Sequence, residues 1–142
     1  MISFFFDIAS PPDRVFAALT DFEHLKDWRT LESVRVDPKG PARVGTRIHT
    51  TVKGPGQTMH FVNEVTELDP VARRYEDRWL EGTFLIESDW ELEPNGEGTR
   101  VRWTTIYQPR GIFRLFGRLL GRTIRQGQEK DMKTFASQLA TR

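Results

Sequence analysis

The chain has 142 residues, 37% hydrophobic and 11% aromatic, which is enough apolar material for the core of one ordinary domain, and residues 1–142 read as a single one. Its 21 Lys and Arg against 20 Asp and Glu leave a formal charge of +1, which excludes the strong basic excess of an electrostatically driven nucleic-acid binder. With no cysteine there are no disulfides, no thiolate metal sites and no cysteine nucleophile.

The opening Phe4-Phe5-Phe6 run has no basic flank and is cut by Asp7 before a signal-peptide core or a spanning segment is complete, so a cytoplasmic protein is expected. A first strand is predicted from roughly Ser3 to Ile8. Ser10-Pro11-Pro12-Asp13 then reads as a helix start, with Ser10 as cap, prolines where missing N–H groups cost little, and an acid near the positive helix end. Val15, Phe16 and Leu19 form its apolar face. Asp21 is expected to cap a second short helix running through Glu23, His24 and Leu25 to about Trp28.

From Val34 to Tyr107 the pattern becomes β-rich runs broken by Gly/Pro turns, most of them joined as hairpins. A turn centred near Gly96 and Glu97 places Trp90 opposite Trp103 and Leu92 opposite Val101 on one face. The other face then pairs Glu91 with Arg102 and Glu93 with Arg100, as a sheet with one buried and one wet side requires. The same construction about Gly54-Pro55 places Ile48 opposite Phe61 and Thr50 opposite Met59 inside, with His49 opposite His60 outside. After Pro109 and Gly111 a helical period runs through Phe113, Phe116, Leu120, Ile124, Met132, Phe135 and Leu139, a helix of about 25 residues if unbroken. The fold class expected is α+β: a seven-stranded curved antiparallel sheet wrapped around a long C-terminal helix, with two short helices after strand 1.

The order β-α-α-β-β-β-β-β-β-α, the opening I-A-S-P-P-D-R-V-F-A-A-L-T-D-F-E-H-L-K-D-W and the segment E-V-T-E-L-D-P-V-A-R-R-Y resemble the START-like superfamily known as SRPBCC, especially its polyketide cyclase/dehydrase-type branch. G-E-G-T-R-V-R-W and the final amphipathic helix extend the resemblance over essentially the whole chain. None of these segments is a catalytic fingerprint; they are fold-forming features. The resemblance implies a helix-grip fold and a cavity between sheet and helix for a lipid, sterol, quinone, polyketide or plant hormone, which some members cyclise or dehydrate and others only carry.

On the hairpin registers, the sheet side of such a cavity is lined by Ile48, Thr50, Met59, Phe61, Asn63, Tyr75, Asp77, Phe84, Ile86, Ser88, Trp90, Trp103, Thr105 and Tyr107, and the helix side by Phe116, Leu120, Ile124 and Gln128. The same side chains can instead fill a solid core. Asp77 stands out because the alternation Tyr75, Asp77, Trp79 puts a carboxylate on the apolar face. Desolvation there makes it the candidate acid or base, while a bulge or sheet-end position that lets it reach water or an arginine is the favoured reading. His49 and His60 are two imidazoles on the outer face without a third ligand, so no metal is expected, and no cofactor is called for. His24 has no Ser or Cys nucleophile arrangement in view.

Arg110, Arg114, Arg118 and Arg122 recur every four residues beside Phe113, Phe116 and Leu120. This stripe is the solvated back of a core-facing helix, with weak membrane-surface contact through the Arg110–Arg125 stretch as the alternative. Gly117, Gly121 and Gly127 weaken the same helix, either to leave room for a ligand or a lid motion, or for close packing on the sheet. The leading expectation is therefore a module that binds a small hydrophobic or amphipathic molecule. The alternatives are a cyclase or dehydratase working through cavity acid/base residues, and a membrane-associated lipid or quinone carrier. Oligomeric state is not legible in the sequence.

Overall fold

Burial alternates along Ile2–Ile8, which forms strand β1 with Phe4 and Ile8 inward. The computed structural model describes residues 1–54, 56–81, 84–109, 115 and 117–140. Helix α1, Pro12–Leu19, buries Val15, Phe16 and Leu19 as the apolar spacing requires. Its N-cap is Pro11 rather than Ser10, and no side chain caps it. Ser10 is buried one residue before the cap, where its backbone carbonyl accepts a 2.6 Å hydrogen bond from Thr99 Oγ1. The next helix, Phe22–Asp27, is a 3-10 helix rather than an α-helix, with His24 off helical geometry at φ −105°. Asp21 precedes it without capping through its side chain, because that carboxylate is paired with His24 Nδ1 at 2.8 Å.

Six further strands follow: β2 (Ser33–Asp37), β3 (Arg47–Gly54), β4 (Gln57–Asp69), β5 (Arg74–Glu81), β6 (Phe84–Asn95) and β7 (Gly98–Pro109). They join β1 in one seven-stranded antiparallel sheet of order β1-β7-β6-β5-β4-β3-β2, so the first strand pairs with the last. The β6–β7 hairpin has the predicted register in full: Trp90 faces Trp103, Leu92 faces Val101, Glu91 faces Arg102 and Glu93 faces Arg100. Gly98 opens β7 where a Cβ would lie 2.5 Å from the Ile8 carbonyl oxygen, so only glycine lets β1 come this close.

The β3–β4 hairpin departs from the predicted pairing by two residues. Gly54 pairs with Gln57, which moves the turn one residue along the chain, so that Ile48 faces Asn63, Thr50 faces Phe61 and Val52 faces Met59. A two-residue slip preserves side-chain parity, and the inner set stays inner. It does separate the histidines: His49 faces Val62 and His60 faces Thr51. At the β4–β5 turn Asp69 Oδ1 accepts from the backbone N–H groups of Val71 and Ala72 at 3.1 and 3.0 Å, fixing the reversal.

Helix α2 spans Gly117–Ala140, 24 residues. Its C-terminal half carries Met132, Phe135 and Leu139, all buried in one cluster with α1, the 3-10 helix and the inner face of the sheet. Trp28 meets Phe135 edge-on at 5.2 Å, and Arg14 Nη2 donates to the Leu139 carbonyl at 3.0 Å. One end of the molecule is thus solid core. The N-terminal half of α2 lies over the other end, and there the space between helix and sheet is not filled.

Candidate cavity site

A cavity of about 220 Å³ opens between the inner sheet face, the 3-10 helix and the N-terminal half of α2. A cavity near 150 Å³ is enough for benzene, so this one accommodates a second ring, while remaining below the size usual for drug-like ligands. The side chains that could have filled a solid core instead surround this space, while a different set, Met132, Phe135 and Leu139, packs the other end of α2.

Strand register arranges the sheet wall in rows. Phe4, Trp103, Trp90 and Tyr75 face one another in turn across β1, β7, β6 and β5. Tyr75 stacks on Trp90 at 5.4 Å and 10°, and Trp90 on Trp103 at 3.9 Å and 22°, which makes this row a continuous aromatic floor. Two residues further along each strand, Thr105, Ser88 and Asp77 form a second row, and it is polar. Gln128 of α2 joins it by donating from Nε2 to Thr105 Oγ1 at 2.6 Å, buried. Asn63 stands beside its far end, on β4 opposite Trp79.

Several polar atoms around this stripe are buried without a hydrogen-bond partner: the indole Nε1 of Trp28 and of Trp103, Gln128 Oε1 and Asp77 Oδ1. Buried polar atoms are nearly always paired in folded proteins, so four unpaired ones on residues that line one cavity are an unusual concentration. Burial pushes the Asp77 carboxyl up to about 7, against the opposing pull of the Arg29 guanidinium and the Asn63 amide. Burial likewise raises Asp131, whose Oδ2 sits 3.5 Å from Arg29 Nε. Burial, followed by the neighbouring Asp77 charge, drives the Tyr75 hydroxyl well above its ordinary range.

Of the residues expected to line the cavity, Ile48, Thr50, Phe61, Asn63, Tyr75, Asp77, Ile86, Ser88, Trp90, Trp103, Thr105, Ile124 and Gln128 do so. Met59 does not; the shifted hairpin places it opposite Val52 rather than Thr50, and of that pair Val52 is the one that lines the cavity. Tyr107 does not either: its hydroxyl lies against Gly121, where an added Cβ would be 2.5 Å away. Phe84 and Leu120 lie on β6 and α2 with side chains outside what is described, and Phe113, Phe116, Arg110 and Arg114 fall outside the described residues altogether. Asp77 combines both of its expected environments. β4 does shift register beside its partner Val65, and Arg29 does act on it, yet one carboxyl oxygen remains sealed and unpaired.

The lining that spacing did not single out comes mainly from the 3-10 helix and its exit: Phe22, Leu25, Trp28, Arg29 and Leu31. Val52 and Trp79 also line it, as do Thr123, Gly127 and Asp131 on α2. Val52 and Trp79 continue the same alternation as Thr50 and Asp77 and were findable by parity. Among the described residues no group of three His, Asp or Glu side chains could hold a metal ion, and no helix is long and apolar enough to cross a membrane.

A curved antiparallel sheet gripping a C-terminal helix, with an aromatic cavity between them, defines a helix-grip protein of the START-like (SRPBCC) type. The chain belongs to the family described as Polyketide cyclase / dehydrase and lipid transport, which matches residues 2–142. Among solved structures it is similar to TTHA0849 from Thermus thermophilus, 28% identical with a TM-score of 0.84, covering 99% of this chain and 97% of that one. It is also similar to Ara h 8.0201, at 16% identity and a TM-score of 0.81 over 99% and 97% of the two chains. A third is the Zhui aromatase/cyclase from a Streptomyces species, at 17% identity and a TM-score of 0.81 over 98% and 92%. Identities this low make the last two evidence of the shared fold. A search of curated protein sequences gives no significant match.

Proposed function

We propose that the protein binds one small, flat, largely apolar molecule of one or two fused rings in the cavity beneath the N-terminal half of α2. The observation that carries this is the about 220 Å³ space above an aromatic floor, closed at its far end by solid core. Stacking on Trp103 and Trp90 supplies non-directional affinity, and exclusion of water sharpens any polar contact within. The proposal is tested by titrating the protein with naphthalene-sized fluorophores, following both their emission and that of the cavity tryptophans. Saturable one-to-one uptake is expected, and no saturable binding of any ring compound of this size overturns it.

Asp77 supports a second reading, a cyclase or dehydratase of the kind the family description names. A carboxyl titrating at about 7 inside a cavity can both give and accept a proton near neutrality. A third reading is a carrier that docks on membranes. Leu115 and Leu119 are 84% and 61% exposed, and Arg118 and Arg122 are exposed on the same stretch. Under that reading the protein co-sediments with vesicles containing phosphatidylserine and is released by salt; equal recovery with neutral vesicles removes it.

A further inference from the structure

We infer that the open pocket between the start of β1 and α2 binds the phosphomonoester headgroup of an anionic phospholipid, through Arg122 and Arg125. The inference rests on the membrane-docking reading above, not on ring binding, and names the lipid group that this surface selects. Residues 98–128 hold seven arginines and no acid. Arg100 and Arg102 are answered across the sheet by Asp7 and Glu91. Arg118, Arg122 and Arg125 are not: all three are exposed, and among the described residues their side chains enter no ion pair or hydrogen bond.

Helical spacing turns these three into one stripe. At i, i+4 and i+7 they stand on one face of α2, where each repels the next, a small cost that a bound anion removes. The fold then gives two of them a pocket. At Gly121 the helix comes so close to its neighbours that an added Cβ would lie 2.5 Å from Tyr107 Oη and 3.8 Å from Ile2 Cδ1. Around this close approach Arg122 and Arg125, with Gly121, Met1, Ile2 and Ser3, line an open space of about 410 Å³. None of these residues lines the ring cavity, and among the described residues no acid lines the pocket.

This donor set matches a phosphomonoester better than a generic negative charge. Two guanidiniums balance its charge of about −1.5 to −2 near neutrality, and each can fork onto a pair of phosphate oxygens. Ser3 is exposed on the same wall, with a hydroxyl that has no partner among the described residues, and adds a third donor. A phosphodiester carries less charge and has two oxygens tied up in ester links, so it meets fewer of these donors. Leu115 and Leu119, exposed at the same end of the helix, point to a lipid as the source, because leucines enter the acyl boundary at the depth where arginines meet phosphate.

The test is sedimentation of the intact protein with phosphatidylcholine vesicles containing either phosphatidic acid or phosphatidylglycerol, the second adjusted to the same surface potential. About tenfold tighter binding to the phosphatidic acid vesicles is expected, the effect of one further charge-assisted hydrogen bond. A preference below about threefold overturns the inference while leaving general attraction to anionic membranes intact. Binding to neither vesicle overturns it together with the membrane reading. Arg122→Gln and Arg125→Gln, both at exposed positions, are each expected to lose the preference. Arg118→Gln removes the same charge from the same stripe but lies outside the pocket, so it should weaken binding to both vesicles alike and keep the preference. Loss of the preference in that variant too assigns the effect to the stripe and overturns the pocket. Glycerol phosphate in solution separates the two sources of the group. It is expected to compete only weakly, since it brings no acyl chains to Leu115 and Leu119, and binding as tight as that of the vesicles overturns the lipid source.

Discussion

Asp77→Asn is expected to stabilise the folded protein at about pH 8 and to flatten its stability between about pH 4 and pH 7. The carboxyl ionises at 3.8 in an ordinary setting and at about 7 in the fold, with burial as the largest cause. Between those values the folded state holds a proton that the unfolded chain releases. The stability linked to it is complete below 3.8 and is lost as pH rises through about 7. The full shift corresponds to an upper bound of about 4 kcal/mol. Relaxation around the ionised group lowers this, so a gain on the order of 2 kcal/mol is expected at about pH 8, a rise of several degrees in Tm. Denaturant titrations of both proteins across this range check it, and parallel pH curves would show that Asp77 is not the group held neutral by burial. The same variant divides the proposed functions. Ring uptake survives it, whereas a cyclase or dehydratase working through Asp77 loses turnover.

The second large effect is expected at Gly127. It lines the cavity, and a Cβ added there meets nothing within 4 Å. Gly127→Leu therefore projects an apolar side chain into open space at the rim, and uptake of naphthalene-sized probes should weaken by at least tenfold. The helix itself should gain roughly 0.5–1 kcal/mol from losing a glycine, so weaker uptake cannot be laid to unfolding. Gly121→Leu is the contrasting case. Its Cβ meets Tyr107 Oη at 2.5 Å and Ile2 Cδ1 at 3.8 Å, a site of close packing off the cavity, so stability should fall with little change in affinity. Measuring binding and stability of both variants separates room for a ligand from room for a neighbour. Unchanged uptake in Gly127→Leu would show that the rim at that point is not the way in.

What the sequence made legible follows from how local each signal is. The β6–β7 register could be read because two independent patterns, apolar pairs and charge pairs, converge on one turn. The β3–β4 turn had only the apolar pattern. A two-residue slip satisfies that pattern equally well, and the error was of that size. Parity survived, so most of the inner wall was named correctly. The contribution of Trp28, Arg29 and Leu31 had no such signal: a 3-10 helix interrupted at His24 carries no lasting periodicity, and the chain leaving it reaches the cavity only through tertiary packing. Asp77 was visible as an anomaly in a strand. Whether that anomaly was relieved by water or sealed depended on α2 and Arg29, both far away in sequence.

The pairing of β1 with β7 sets the order in which the molecule can be completed. Ile2 to Ile8 find their partners at Thr105 to Thr99, about a hundred residues later in the chain. Until that strand exists, β1 has no neighbour in the sheet, and Phe4, Phe5 and Phe6 stand on an unpaired edge. The strand that precedes the other six in the chain is thus among the last of the sheet to be placed, and the aromatic floor lacks its Phe4 end until then. Folding is accordingly expected to be slow for a chain of this size, and the exposed phenylalanine edge is the segment through which two incomplete chains would associate.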